Sequence, residues 1–220
     1  TKLQHYRKMT ITDGHKFKPG NNWYTTRTKM ENNQVKLNGV VSLNCISVSP
    51  EDLHHLSLQR MLAGILPNLR EVDFSTSGYC WSTLANYSER CVNLEKVTWN
   101  NFGQYSAISI DGADMSSATN LKEIYMDGAQ FYDQSLNARD FETDDRPDIF
   151  LFYRCQSKVL ERISIRNAIN GKNNGSAITQ QMLLKFIRKA PTSLRWFRSD
   201  LTPANMAMLR LERPEIVLLN

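Results

Sequence analysis

Most signatures of catalysis and metal binding are missing from this chain. No Cys-x-x-Cys pair occurs among its four cysteines, Cys45, Cys80, Cys91 and Cys155, so structural zinc has no ligand spacing to use. The four histidines are His5, His15, His54 and His55, and no His-Glu-x-x-His helix is present. His54 and His55 are neighbours on an expected helix and read as helix surface. No G-x-S-x-G elbow, phosphate-binding P-loop or G-x-G-x-x-G turn occurs, so the common nucleophilic and nucleotide-binding classes lack support. Asp111-Gly112-Ala113-Asp114 lacks the oxygen spacing and closing Glu of a calcium loop and reads as a turn. No run of about 18 apolar residues exists to span a membrane. These absences predict a non-enzymatic protein with no cofactor and no metal.

Apolar residues make up 41% of the 220 residues, ample for a core. A core of this size needs no covalent staples, so the cysteines are expected to be reduced thiols in a cytoplasmic or nuclear protein. Disulfides in a secreted protein are the alternative that an even count leaves open. No signal peptide is visible, and the chain begins at Thr1, which leaves an upstream targeting segment open.

Charge is unevenly placed. Residues 1–36 hold eight Lys or Arg against Asp13 and Glu31, a net +6. The whole chain carries +5, so residues 37–220 carry −1. Tyr6, Phe17, Trp23 and Tyr24 lie among these bases. Interleaved bases and aromatics suit single-stranded nucleic acid. The plainer expectation is a cap over the first repeat, with an acidic protein partner as a further alternative. Tyr6-x-x-Met9-x-Ile11 fits a degenerate first repeat. Residues 1–40 are therefore read as a basic extension and 41–220 as a repeat domain.

The repeat is the strongest signal. Apolar, two variable, apolar, one variable, apolar recurs as Leu69-Arg70-Glu71-Val72-Asp73-Phe74 and Leu94-Glu95-Lys96-Val97-Thr98-Trp99. It returns as Leu121-Lys122-Glu123-Ile124-Tyr125-Met126 and Leu160-Glu161-Arg162-Ile163-Ser164-Ile165. An earlier copy is read at Leu43-Asn44-Cys45-Ile46-Ser47-Val48, and a weaker one at Leu194-Arg195-Trp196-Phe197-Arg198-Ser199. Alternation at L-x-L predicts short strands. Helical spacing lies between them. Leu53, Leu56, Met61, Leu62 and Ile65 follow Pro50 with Ser49 as N-cap, and Trp81, Leu84 and Tyr87 mark a second helix. Phe150, Leu151 and Tyr153 mark a third, and Met182, Leu183, Phe186 and Ile187 a fourth with Arg188 and Lys189 at its end. Thr202 then Pro203 open a fifth that stops by Pro214. Long spacings late in the chain predict insertions near 137–148 and 168–178. The acidic stretch within 140–148 reads as a solvated loop, or as a tethered peptide for a basic partner surface.

These copies resemble the leucine-rich repeat superfamily, and most closely its longer ribonuclease-inhibitor-like and F-box-associated repeats, over residues 40–220. Cys91, three residues before Leu94, sits where such repeats often carry cysteine. The chain also resembles a large group of eukaryotic, including algal, leucine-rich repeat proteins, which implies no function. The resemblance implies an α/β solenoid with a curved parallel sheet on one side and helices and loops on the other. It also implies a protein-protein interaction module, or the substrate-recognition part of an F-box-type ubiquitin ligase whose F-box lies outside this chain. One departure matters. The ninth repeat position carries Ser77, Phe102, Ala129 and Ala168, so no asparagine ladder can form and the turns need another way to satisfy their backbone groups.

Residues between the apolar positions point away from the core. They form rows across the expected sheet. The first runs Cys45, Glu71, Lys96, Glu123, Arg162, Trp196. The second runs Ser47, Asp73, Thr98, Tyr125, Ser164, Arg198. The third runs Ser49, Ser75, Asn100, Asp127, Arg166, Asp200. The expected partner-binding face comprises Glu71, Asp73, Glu123, Tyr125, Asp127, Arg162, Arg166, Trp196 and Arg198, acidic in the middle and basic toward the C-terminus. Arg, Trp and Tyr are frequent interface anchors. A protein or peptide is the expected partner.

Overall fold

The architecture comes from a computed structural model, which describes residues 8–12, 36–46, 61–75, 83–100, 107–109, 115, 117–132, 157–170 and 176–220. The acidic stretch within 140–148, the Phe150–Tyr153 helix, the Ser49 cap, all four histidines and Asp111–Asp114 lie outside the described residues, as does most of the basic segment 1–36.

Each full copy of the repeat sets its middle apolar residue at the centre of a short strand. The strands are β1 (Lys8–Thr12), β2 (Ser42–Ile46), β3 (Glu71–Asp73), β4 (Lys96–Thr98), β5 (Ala107–Ser109) and β6 (Glu123–Tyr125). They continue as β7 (Gln130–Tyr132), β8 (Arg162–Ser164), β9 (Ile169–Asn170), β10 (Ser176–Ala177), β11 (Trp196–Arg198) and β12 (Val217–Leu219). Eight of them form one parallel sheet in the order β1-β2-β3-β4-β6-β8-β11-β12. In-register pairing aligns Met9, Leu43, Val72, Val97, Ile124, Ile163, Phe197 and Leu218 in one column. All of these but Met9 are buried, and Met9 packs on the edge of the same core. The flanking apolar positions, from Leu69 and Phe74 to Leu160 and Ile165, are buried as well.

The register corrects the first copy. Leu43 pairs with Val72, not with Leu69, so the repeat there reads Val40-Val41-Ser42-Leu43-Asn44-Cys45. Val40, Leu43 and Cys45 are its buried positions. The pattern was ambiguous by three residues, because Leu43 fits both the first and the middle apolar position. Cys45 therefore faces the core, and Ser42 and Asn44 take the outward places.

A common turn leads into most of these strands. Val40, Leu69, Leu94, Leu121, Leu194 and Ile216 each donate an N–H to the carbonyl three residues back, at 2.9–3.2 Å. The next carbonyl along then accepts two N–H groups of the following strand. Val41 accepts from Arg70 and Glu71, Arg70 from Glu95 and Lys96, and Glu95 from Lys122 and Glu123. Short strands thus exhaust their backbone hydrogen bonds on neighbouring copies, and no copy is self-sufficient.

Helical segments supply the second wall of the core. Residues 61–65 are helical, and α1 spans Thr83–Arg90, α2 Gln180–Lys189 and α3 Pro203–Glu212. Leu62, Leu84, Tyr87, Leu183, Ile187 and Leu209 join the inward strand residues in one apolar cluster. Phe74 meets Tyr87 and Trp99 edge-on, with ring centroids 5.3 and 5.4 Å away. Thr179 caps α2 by accepting the Met182 N–H at 3.3 Å, and Thr202 caps α3 by accepting that of Asn205 at 3.3 Å. Arg213 donates to the carbonyls of Ile187 at 2.6 Å and Ala190 at 3.3 Å, placing a cation at the C-terminus of α2. Gln180 joins α2 to α3 by accepting from the Thr202 N–H at 2.8 Å and from Asn205 at 2.9 Å.

A second, smaller sheet has the order β10-β9-β7-β5. β5, β7 and β9 are parallel, and β10 turns back against β9. Within 168–178, where an insertion was expected, Ile169 and Asn170 pair with Ala177 and Ser176. β12 is a further strand of the large sheet, paired with β11. No helix among the described residues is long and apolar enough to cross a membrane.

Cys45 and Cys91 are free thiols inside this core. Burial pushes each up to about 12, with the Asp73 carboxylate adding to the effect at Cys45 and Arg90 opposing it at Cys91. Cys91 lies 3.7 Å from the Leu66 carbonyl. Both should resist iodoacetamide at pH 8 and react once the chain is unfolded in guanidinium. Peptide-level mass mapping checks this, and fast native labelling of either would contradict the packing.

Candidate functional site

The side of the large sheet opposite the helices carries the outward residues. Pairing places Ser42, Glu71, Lys96, Glu123, Arg162, Trp196 and Val217 in one row. Asn44, Asp73, Thr98, Tyr125, Ser164, Arg198 and Leu219 form the next. Seven of the nine expected face residues lie in these two rows, and Asp127 and Arg166 stand in the turns after β6 and β8. Ser42 and Asn44 take the row places expected for Cys45 and Ser47. Ser47 and Ser49 lie outside the described residues.

A continuous ridge runs over β4, β6, β8 and β11. The Lys96 ammonium sits 5.2 Å above the Tyr125 ring, and the Arg162 guanidinium 4.8 Å from the Trp196 ring centre. The two rings are 6.1 Å apart and tilted by 53°. The Tyr125 hydroxyl donates to Glu123 at 3.0 Å and accepts from Arg162 Nε at 3.1 Å. Burial chiefly raises the Tyr125 pKa, with the Arg162 hydrogen bond opposing and Glu123 adding. The hydroxyl therefore stays protonated at neutral pH and relays Arg162 to Glu123. Lys96 also pairs with Glu123 at 3.7 Å. Five side chains, Lys96, Glu123, Tyr125, Arg162 and Trp196, are thus held by one another before any ligand arrives. Lys96 was absent from the expected site, although it stands in the first row between Glu71 and Glu123. Its role depends on distance to Tyr125, which row membership does not give.

The third row has a structural task. Asn100 N–H donates to Ser75 Oγ at 3.1 Å, Asp127 N–H to Asn100 Oδ1 at 2.9 Å, and Arg166 N–H to Asp127 Oδ1 at 2.8 Å. Each side chain satisfies the backbone of the next copy. This ladder replaces the missing asparagine ladder at the ninth position. Arginine has no acceptor, so the run stops at Arg166. Asp200 restarts it from the other side by accepting the Asn167 N–H at 2.7 Å. Asn167 has φ of 55°, and the left-handed conformation suits an Asn there.

Asp127 is the most heavily used of these groups. Besides Arg166 N–H it accepts from Ser164 Oγ at 2.5 Å and pairs with Arg198 at 3.3 Å. Asp73 likewise accepts the Ser75 N–H at 2.8 Å. Charges that the sequence suggested were separated along the face are therefore partly compensated between strands. Replacing Asp127 by Ala should lower stability by about 1–3 kcal/mol, because a half-buried backbone donor and the Ser164 hydroxyl lose their acceptor. Asp127→Asn retains an acceptor and should lose less. Denaturant midpoints check this, and equal, negligible effects would make Asp127 a surface group free for ligand.

Among the described residues no group of three His, Cys, Asp or Glu comes together to hold a metal ion. No protein-family model and no curated protein matches the chain.

Proposed function

We propose that this chain is a leucine-rich repeat solenoid that acts, without catalysis, as a protein-protein interaction module. The open face of the large sheet is its concave binding surface. The observation that carries this reading is the Lys96–Tyr125–Arg162–Trp196 ridge. Large aromatic and guanidinium groups sit there at outward positions, fixed in place by their neighbours, so little side-chain entropy is lost on docking. A repeating register of buried Leu, Val and Ile, with one turn geometry before most strands of the large sheet, supports the repeat family. Recognition of substrates in an F-box-type ubiquitin ligase is the narrower version of the same binding role, and the likeness of the repeats to F-box-associated ones supports it.

Photo-crosslinking tests the role. Benzoylphenylalanine replaces Thr98, an outward and half-buried residue beside Tyr125, or replaces Lys189, exposed on α2. Crosslinks to one protein species from Thr98 and not from Lys189 are expected. Crosslinks from Lys189 alone would overturn the assigned face.

A further inference from the structure

The pairing within the open face leaves a specific remainder. Lys96 is matched by Glu123, and Arg198 by Asp127. On β3, exposed Glu71 and half-buried Asp73 pair with no base among the described residues. Lys8 stands two strands away in the same row, with Ser42 between. On β8 and just after it, Arg162 and Arg166 pair with no acid among the described residues. On the neighbouring copies Asp200 accepts the Asn167 N–H, and Asp127 accepts the Arg166 N–H and pairs with Arg198. Arg166 Nε is buried with no acceptor. Two acids on one strand thus stand across β4 and β6 from two bases on another. Three strand spacings separate them, about 14 Å, the reach of roughly four to five extended residues.

Resting on the concave-face reading, we propose that the ligand is an extended protein segment of opposite polarity. A carboxylate sits over Arg162 and Arg166, and a Lys or Arg four to five residues away sits over Glu71 and Asp73. The residues between pass over Lys96 on β4 and Tyr125 on β6, while Trp196, one strand beyond β8, backs Arg162 under the carboxylate end. The segment runs across the strands, so its side chains meet successive copies of the repeat. A carboxylate fits the guanidinium forks, and a flexible base fits the open acids of β3. Reversed polarity would set like charges face to face at both ends.

A display library of random twelve-residue peptides, selected on the folded chain, tests this. Enriched peptides should carry a carboxylate and a base four to five residues apart. Trp196→Ala should abolish their binding. In the double variant Glu71→Lys and Asp73→Lys, the same peptides should weaken about tenfold or more, and fresh selection should lose the base. Peptides that need Trp196 but show no paired charges, or that ignore the β3 reversal, would overturn the polarity and leave the binding face standing. Failure to recover any peptide that depends on Trp196 would overturn both.

Discussion

Ile124→Ala should lower the unfolding free energy by about 2–5 kcal/mol, read as a drop in denaturant midpoint at unchanged slope. Ile124 is fully buried at the centre of β6, in register between Val97 and Ile163. Removing its side-chain carbons opens a cavity that the in-register strands on either side restrict from collapsing. Thr98→Ala, on the outward side of β4, should cost about 0.5 kcal/mol or less. A loss at Ile124 no greater than that at Thr98 would mean that the inward column does not carry the core.

Removing residues 202–220 should have the larger effect and leave an aggregating or incompletely folded chain. That segment supplies α3, β12 and the buried Leu209, Ile216 and Leu218. It also supplies Arg213, which holds the last carbonyls of α2. Without it, β11 loses the bonds from Ser199 N–H to Leu219 O at 3.0 Å and from Val217 N–H to Arg195 O at 2.8 Å. A bare β11 edge beside exposed apolar side chains favours association between chains. Size-exclusion chromatography and thermal melts of the truncated chain check the outcome. A monomer that melts like the full chain would contradict it.

The alternation within each repeat was legible because burial demands it. Val72, Val97, Ile124, Ile163 and Phe197 occupy the places that the apolar pattern gave them. Thr202 and Pro203 also announced their helix, since capping chemistry is local. Register at Val40–Cys45 was not legible, because two frames three residues apart both looked apolar and only pairing with Val72 chose between them. β5, β7, β9 and β10 escaped notice because two- or three-residue strands have too little alternation to detect. At the site, side-chain direction gave the rows, but partners within a row depend on reach. Nothing in the spacing showed that Lys96 and Arg162 would lie over rings, or that Asp127 would serve the backbone of its neighbour. Ser75, Asn100 and Asp127 did share one phase of the repeat, and polar residues in one phase are a signal for a ladder.

Affinity for the protein crosslinked at Thr98 tests the binding face most directly. Isothermal titration would compare the intact chain with Arg166→Ala plus Trp196→Ala, and with Arg188→Ala plus Glu212→Ala. Arg188 and Glu212 pair at 2.7 Å on the helical side, where an exposed ion pair adds little to stability. The first pair should weaken binding by about 2 kcal/mol or more, roughly thirtyfold, while the second leaves it unchanged. Weakened binding in the helical-side pair with unchanged affinity in the open-face pair would contradict the account.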